Sequence, residues 1–251
     1  MHQRCIDVSL DLARLQTGTE FWTEGRQLVI GNVVTLHLAD SLRWQAPTLG
    51  PGAPREAVAA CYRAVLAAVQ SRWQAAGLAK ALPLIAAAAN GRDHPALDGT
   101  DPLIRRASEP ISAIAAACRR RDIDGIAAHS RALIGLGPGL TPSGDDYVGG
   151  LLFAAHSLRA AYPGAYRLDG NAIDALIDWT RSRTTLISAA IFRDMVGGQG
   201  PEPLHQLLIA LLNSAEPHRV LTAVDRLTRI GHSSGWDMLA GVLTGLLLIE
   251  R

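Results

Sequence analysis

The chain has 251 residues, of which 48% are hydrophobic and 19% charged, and its formal net charge is +1. This length allows one large domain, or one main domain with a small appendage, and we expect the second. The near-neutral charge provides no basic surface for DNA or RNA, so nucleic-acid partners are disfavoured. The three cysteines lack C-x-x-C spacing, and no apolar run reaches the ~20 residues of a spanning helix. We therefore expect a cytoplasmic protein with no membrane partner.

The N-terminal part of the chain carries a β signal. β-forming residues alternate between Glu24 and Leu38 around a Gly31-Asn32 turn signal, which predicts a hairpin. The stretch Ala46–Arg55 then contains three prolines and two glycines in ten residues and predicts a linker. We therefore expect a small β-containing region over 1–48 and a helical domain over 49–251.

Apolar residues at spacings of three and four predict helices after the linker. One covers about 55–76, and others lie near 83–89, 108–121, 123–134, 144–161, 171–195, 203–213, 218–230 and 235–250, with short Gly, Pro, Asn or Asp breaks between them. The predicted fold class is α+β and predominantly α. In this fold a small N-terminal β region precedes a multi-helix domain with a glycine-rich loop at a helix N-terminus.

The predicted functional centre is Gly135–Asp146, which reads G-L-G-P-G-L-T-P-S-G-D-D. Its glycines accept positive φ angles and its prolines restrict the chain, so a stiff, shaped loop should open a helix. Successive N–H groups in such a loop, together with a helix N-terminus, favour an anion such as phosphate, carbamoyl phosphate or a carboxylate. The predicted ligand-binding residues here are Gly137, Gly139, Leu140, Thr141, Ser143, Gly144 and Asp146.

The two aspartates of this segment have several interpretations. Gly139–Gly144 has the G-x-x-x-x-G spacing of a nucleotide-binding P-loop, but Asp145 and Asp146 replace its Lys and Ser/Thr, which excludes a standard ATPase loop. Ser143 and Asp146 also have the S-x-x-D form of a capping box, which is a purely structural alternative. Asp145 is not needed for such a cap, so we predict a general base there. The cofactor is unassigned, with Mg²⁺ held by Asp145 and Asp146 as one option.

The pattern of the loop helix returns later in the chain. Ser234–Leu243 and Ser143–Leu152 both read S-G-x-D-x-[VL]-x-G-x-L. This echo predicts a pseudo-symmetric helix pair whose N-termini converge, although S-G-x-D is also a common helix start. In that arrangement His232, Ser233 and Ser234 would face Thr141, Ser143 and Asp145. The additional predicted site residues are Ser233, Ser234 and Asp237 as ligand-binding groups and His232 as a proton-transfer group that works near neutral pH.

A third polar cluster, R-S-R-T-T, interrupts a predicted apolar helix that begins at Asn171. Arginine suits the recognition of carboxylate or phosphate, so we predict that Arg181 and Arg183 clamp the anion, while Thr184 and Thr185 line the floor of the pocket. The alternative is that these arginines are solvated on the helix surface.

Three motifs carry a resemblance to a known family: the segment Gly135–Asp146, the T-T-x-x-S of Thr184–Ser188, and the G-H-S-S-G-W-D of Gly231–Asp237. Together they resemble a bacterial family of largely unknown function whose best-known member is the AllH subunit of oxamate carbamoyltransferase. The resemblance covers the chain from about Gly25 to the C-terminus. It implies work with partner subunits in anaerobic allantoin breakdown, with carbamoyl exchanged between phosphate and oxamate. The chain does not resemble the aspartate and ornithine carbamoyltransferases.

The leading functional hypothesis is a subunit of an enzyme that binds a small anionic metabolite, with carbamoyl phosphate as the favoured ligand and Asp145 and His232 as catalytic residues. Its partners would be that metabolite and subunits from the same operon. One alternative is a catalytically silent scaffold that docks partner chains. The other is a phosphotransferase that uses Mg²⁺ at Asp145 and Asp146.

Overall fold

A computed structural model of the protein describes residues 15–39, 41, 44–72, 75–92, 95, 97, 101–165, 170–214 and 216–249. The chain divides into two compact units, residues 1–45 and residues 46–251. None of the helices in the described ranges combines the length and the apolar character needed to cross a membrane.

The first unit contains a three-stranded antiparallel sheet. Strands β1 (Phe21–Glu24), β2 (Gln27–Ile30) and β3 (Val34–His37) follow one another in chain order. The predicted hairpin is confirmed as the β2–β3 pair, in which Ile30 lies opposite Val34. Strand β1 was not predicted, because its four residues are all exposed and their side chains show no alternation between apolar and polar character.

The second unit is helical, so the predicted class, α+β and predominantly α, is confirmed. Two short 3-10 helices, Gly77–Ala81 and Leu246–Ile249, accompany ten α-helices in its described residues. These are α1 (Arg55–Arg72), α2 (Leu82–Ala89), α3 (Pro102–Arg120), α4 (Ile123–Ser130), α5 (Ser143–Ala161), α6 (Gly170–Arg181), α7 (Leu186–Val196), α8 (Glu202–Leu212), α9 (Pro217–Thr228) and α10 (Ser234–Gly245).

The single helix predicted over 171–195 is wrong, because the structure has two helices, α6 and α7, separated at residues 182–185. Thr185 begins the second helix as its N-cap, and its hydroxyl accepts a 3.0 Å hydrogen bond from the Ser188 N–H. A threonine at this position satisfies one of the free N–H groups of the first turn, which favours a new start over continuation of α6. The polar cluster is therefore an inter-helix turn.

Helices α5 and α10 form the centre of the second unit. Every residue of α5 from Ser143 to Ala155 is buried, and so is every residue of α10 from Gly235 onward. Their backbones touch: a Cβ on Gly241 would lie 1.9 Å from the Tyr147 carbonyl oxygen. Glycine is therefore required at the crossing, because any side chain there would overlap the main chain of the partner helix.

Candidate functional site

The predicted pseudo-symmetric helix pair is confirmed. Thr141, just before α5, shares a 3.2 Å hydrogen bond with Ser234 at the start of α10, so the two N-termini converge. The contacts at the crossing are also reciprocal. In the repeat, Gly150 corresponds to Gly241 and Tyr147 corresponds to Met238. A Cβ on Gly150 would lie 2.4 Å from the Met238 carbonyl oxygen, and a Cβ on Gly241 would likewise contact the Tyr147 carbonyl oxygen. The repeated sequence thus produces a local two-fold arrangement.

The capping-box interpretation of Ser143 and Asp146 is wrong. Pro142 occupies the N-cap position of α5, and no side chain caps this end. Ser143 is instead the first helical residue, and its hydroxyl interacts with Asp237 of α10. In the reciprocal contact, Ser234 of α10 interacts with Asp146 of α5. The serines therefore connect the two helices rather than end them.

Asp146 and Asp237 are the two equivalent acids of this arrangement, and they are 3% and 0% exposed. Burial raises the pKa of Asp146 to about 7, and the negative charge of Asp237 adds to the rise. Burial likewise raises the pKa of Asp237 to about 6. The Oδ2 atom of each acid has no hydrogen-bond partner among the described residues. A protonated fraction of Asp146 is therefore present at neutral pH, where an ordinary aspartate is fully ionised.

The other oxygen of Asp237 has a structural role. Its Oδ1 accepts a 2.6 Å hydrogen bond from the Leu78 N–H, at the start of the 3-10 helix Gly77–Ala81. Gly77 has a φ of +54°, and a Cβ there would lie 2.2 Å from this oxygen. Asp237 thus holds the 3-10 helix against α10 while its second oxygen stays unpaired.

Asp145 has a different environment from Asp146. Its Oδ1 accepts a 2.7 Å hydrogen bond from the Gly135 N–H, and its Oδ2 accepts hydrogen bonds from the hydroxyls of Thr184 and Ser188. These contacts connect the glycine-rich loop (Gly135–Pro142) to the first turn of α7. Both carboxylate oxygens of Asp145 therefore already accept hydrogen bonds from this chain. This argues against the predicted role as a general base and against Mg²⁺ binding together with Asp146.

The glycine-rich loop has unused hydrogen-bond donors. Gly135, Gly137 and Gly139 have φ angles of +76°, +115° and +97°, as expected for glycines in a tightly shaped loop. Four backbone N–H groups of the loop donate no hydrogen bond to any described residue. They belong to Gly137, Gly139, Leu140 and Thr141. Gly144 differs, because its N–H donates to the Leu136 carbonyl at 2.8 Å. The predicted anion-binding amides, apart from that of Gly144, are thus available.

A pocket of about 460 Å³ lies beside the converging helix ends. It is bounded by α5, α7, α10, the segment that joins α7 to α8, and the turn after α9. Its lining residues are Thr141, Asp146, Ile191, Asp194, Met195, Gln199, Gly200, Pro201, Ile230, Ser234 and Met238. Among the described residues, the lining contains two acids and no arginine, lysine or histidine. The pocket is therefore mainly apolar, with a polar corner formed by Thr141, Asp146 and Ser234.

Several predicted site residues lie away from this pocket. Arg181 is exposed and forms an ion pair with Asp178 at 3.3 Å. The guanidinium of Arg183 stacks over the Trp179 ring at 4.2 Å. His232 is exposed in the turn before α10 and does not line the pocket.

The remaining predicted residues hold the surrounding backbone in place. Thr185 donates a 2.6 Å hydrogen bond to the Leu140 carbonyl, which fixes the loop against α7. Ser233 is the N-cap residue of α10 and interacts with Asp237. Asp194, Gln199 and the apolar wall of the pocket were not predicted. Apart from Met238, which lies in the Ser234–Leu243 repeat, these residues belong to no motif, and the pocket joins them from α7, the segment after it, the turn after α9 and α10.

The comparisons with known proteins point to one family. Residues 133–246 match the family model described as oxamate carbamoyltransferase subunit AllH. No solved structure matches the chain significantly. The match is narrower than the range from Gly25 that the motifs suggested, but it contains the glycine-rich loop, α5, α7 and α10. Residues 133–246 of this chain, which contain the pocket and the glycine-rich loop, are therefore similar to the AllH family.

Proposed function

We propose that the protein is a subunit of a carbamoyltransferase-like complex and that its glycine-rich loop binds a small anionic metabolite, with carbamoyl phosphate as the candidate. The observation that carries this proposal is the set of unused N–H groups at Gly137, Gly139, Leu140 and Thr141, next to the buried start of α5. Backbone N–H groups at a helix N-terminus stabilise negative charge by direct hydrogen bonds and by the helix dipole. The family description of residues 133–246 supports the same reaction class.

Asp146 replaces Asp145 and His232 as our candidate for proton transfer. It lines the pocket beside Thr141, and its pKa of about 7 lets it exchange a proton near neutral pH. In the transfer step the acceptor nitrogen attacks the carbamoyl carbon, and a C–N bond forms while the C–O bond to phosphate breaks. The carboxylate of Asp146 takes the N–H proton, and inorganic phosphate leaves.

The described residues of the pocket lining include no basic side chain, which supports action as a subunit. A phosphoryl group usually needs arginine or lysine in addition to backbone donors. Arg181 and Arg183 would have to leave Asp178 and Trp179 before they reached the pocket. In our proposal a partner subunit supplies the missing cation.

Calorimetry with carbamoyl phosphate tests this function on the chain together with its partner subunits. Gly139→Ala places a side chain at a φ of +97°, which distorts the loop, and we expect binding to weaken at least about tenfold. Gly164→Ala is the matched control, since its φ is +80° and both positions have open space around them. The proposal fails if the assembled complex binds neither carbamoyl phosphate, oxamate nor phosphate, or if both variants weaken binding equally.

A scaffold function is a second candidate, because an exposed apolar surface lies around the loop. Leu140 is 67% exposed, Leu186 87%, Ile187 53% and Ile191 39%. The hydrogen bond from Thr185 to the Leu140 carbonyl places this loop residue beside the first turn of α7, which carries Leu186 and Ile187. Large exposed apolar surfaces of this kind mark protein–protein contacts.

Pull-down with the partner subunits tests the scaffold. Ile187→Asp should abolish capture, whereas Ala67→Asp, which adds the same charge at an exposed position of α1, should not. If the chain acts only as a scaffold, Asp146→Asn will retain the activity of the complex. A loss of activity with unchanged capture favours the catalytic function instead. The arrangement of Asp145 and Asp146 offers no support for a Mg²⁺-dependent phosphotransferase.

A further inference from the structure

We infer that the pocket binds the carbamoyl acceptor of the proposed reaction, and that this acceptor is a molecule with an amine or amide N–H group at Asp146 and an aliphatic body. The role of the ligand as an acceptor rests on the proposed carbamoyl transfer. Binding of an N–H donor in the pocket does not depend on that reaction. It assigns the glycine-rich loop and the pocket to two different ligand groups, an anion and an N–H donor.

The hydrogen-bonding capacity of Asp146 supports an N–H donor. The side chain is 3% exposed, lines the pocket, and has one oxygen without a partner among the described residues. Buried polar atoms in native proteins almost always have a partner, and an unsatisfied carboxylate oxygen is strongly destabilising. A ligand that reaches this oxygen and donates a hydrogen bond would remove this penalty, and among such donors the proposed reaction requires an N–H group.

The charges around the pocket disfavour a second anion. Asp146 and Asp194 both line it, and the charges of Asp237 on α10 and Asp145 on α5 act on Asp146. No basic side chain from the part of the chain that the structure describes belongs to the lining. A ligand carboxylate would meet like charges there, whereas an ammonium would meet opposite charges.

The size and walls of the pocket indicate an aliphatic body. Its volume of about 460 Å³ is far larger than a two-carbon acid needs. Five apolar side chains form most of the wall, namely Ile191, Met195, Pro201, Ile230 and Met238. Each methylene buried against such a wall tightens binding about fourfold. The acceptor that fits therefore carries several methylene groups.

The protonation state of Asp146 gives the selectivity a pH dependence. Burial and the charges of Asp237 and Asp145 raise its pKa to about 7. At pH 8 the carboxylate dominates and attracts an ammonium. At pH 6 the carboxylic acid dominates, so the preference for an amine over a neutral amide decreases.

The test uses the purified full chain and calorimetry at pH 8 with four probes: n-butylamine, n-hexylamine, hexanamide and hexanoate. We expect hexylamine to bind about tenfold more tightly than butylamine, hexanamide to bind more weakly than hexylamine, and hexanoate not to bind. Asp146→Asn should reduce hexylamine affinity at least tenfold and leave hexanamide affinity within about threefold. Asp178→Asn, which removes an exposed carboxylate of α6, is the control and should change neither value.

A second variant keeps the inference testable if Asp146→Asn does not fold. Ile191→Ala removes a wall residue that is 39% exposed, and it should abolish most of the gain of hexylamine over butylamine. Equal binding of hexanoate and hexylamine would overturn the inference. So would stabilisation by Mg²⁺ alone without amine binding, because Asp146 would then be part of a metal site. If amines bind but carbamoyl phosphate does not, the pocket assignment stands and the proposed function fails.

Discussion

Replacement of Asp146 by asparagine should stabilise the protein at alkaline pH. The substitution preserves the shape of the side chain and removes a carboxyl that is 3% exposed. In the folded protein burial raises the pKa of Asp146 from 3.8 to about 7. The folded state therefore binds the proton more tightly than the unfolded state, and the free energy of unfolding falls as the pH rises from about 4 through 7. Asparagine is free of this dependence.

The magnitude follows from the two pKa values. A shift of about three pKa units corresponds to about 4 kcal/mol in the free energy of unfolding. The wild-type chain has lost this contribution to its stability once the pH exceeds 7. Between pH 5 and pH 8 the wild-type chain loses about 3 kcal/mol of this total through Asp146. The stability of Asp146→Asn relative to the wild type should therefore increase by about 3 kcal/mol over the same range.

Urea denaturation at several pH values from 5 to 8, followed by circular dichroism, measures this difference. The matched control is Asp178→Asn, whose carboxylate is 72% exposed and whose stability difference should stay within about 0.5 kcal/mol of zero at every pH. A gap between wild type and Asp146→Asn that stays constant with pH would refute the assignment of a buried, neutralised carboxyl at this position.

Three further substitutions test the surrounding structure. Gly241→Ala places a Cβ 1.9 Å from the Tyr147 carbonyl oxygen and should lower the free energy of unfolding by at least about 2 kcal/mol in a urea titration. The control, Gly50→Ala, has nothing within 4 Å of its Cβ and should leave the free energy of unfolding unchanged. Asp145→Ala leaves one N–H and two hydroxyls without their acceptor, so thermal unfolding should show a loss of about 3 kcal/mol or more. Thr185→Ala removes the N-cap of α7 and should cost about 1 kcal/mol, and hydrogen exchange should show faster opening of its first turn.

Much of the fold could be predicted from local patterns. The β2–β3 hairpin followed from alternation around Gly31-Asn32, and the helix starts at Ser143 and Ser234 followed from their repeated motif. The start of α3 was missed, although Asp101 accepts a hydrogen bond from the Leu103 N–H and Pro102 occupies the first helical position. That signal lies before the apolar periodicity begins, so a search for periodicity alone placed the start too late.

The site was only partly predictable, because burial decides between residues that look alike in the sequence. Asp145 and Asp146 are neighbours with the same side chain, yet the rotation of about 100° between successive helix positions sends one towards the loop and the other towards α10. Arginines that suit an anion in principle interact instead with α6, where Asp178 pairs with Arg181 and the Trp179 ring lies under Arg183. The pocket wall depends on contacts between helices that are distant in sequence, which no local pattern reveals.

The reciprocal crossing of α5 and α10 also affects how the chain folds. Tyr147 and Thr244, which share a 2.7 Å hydrogen bond at its centre, are 97 residues apart in sequence. This fully buried contact therefore closes a long loop, and the entropy of that closure is lost before the contact contributes any stability. During synthesis α5 leaves the ribosome well before α10 exists, so its apolar surface has no native cover for several seconds at ordinary elongation rates of about 5–20 residues per second. The symmetry that builds the site thus makes the nascent chain vulnerable to aggregation until α10 has emerged.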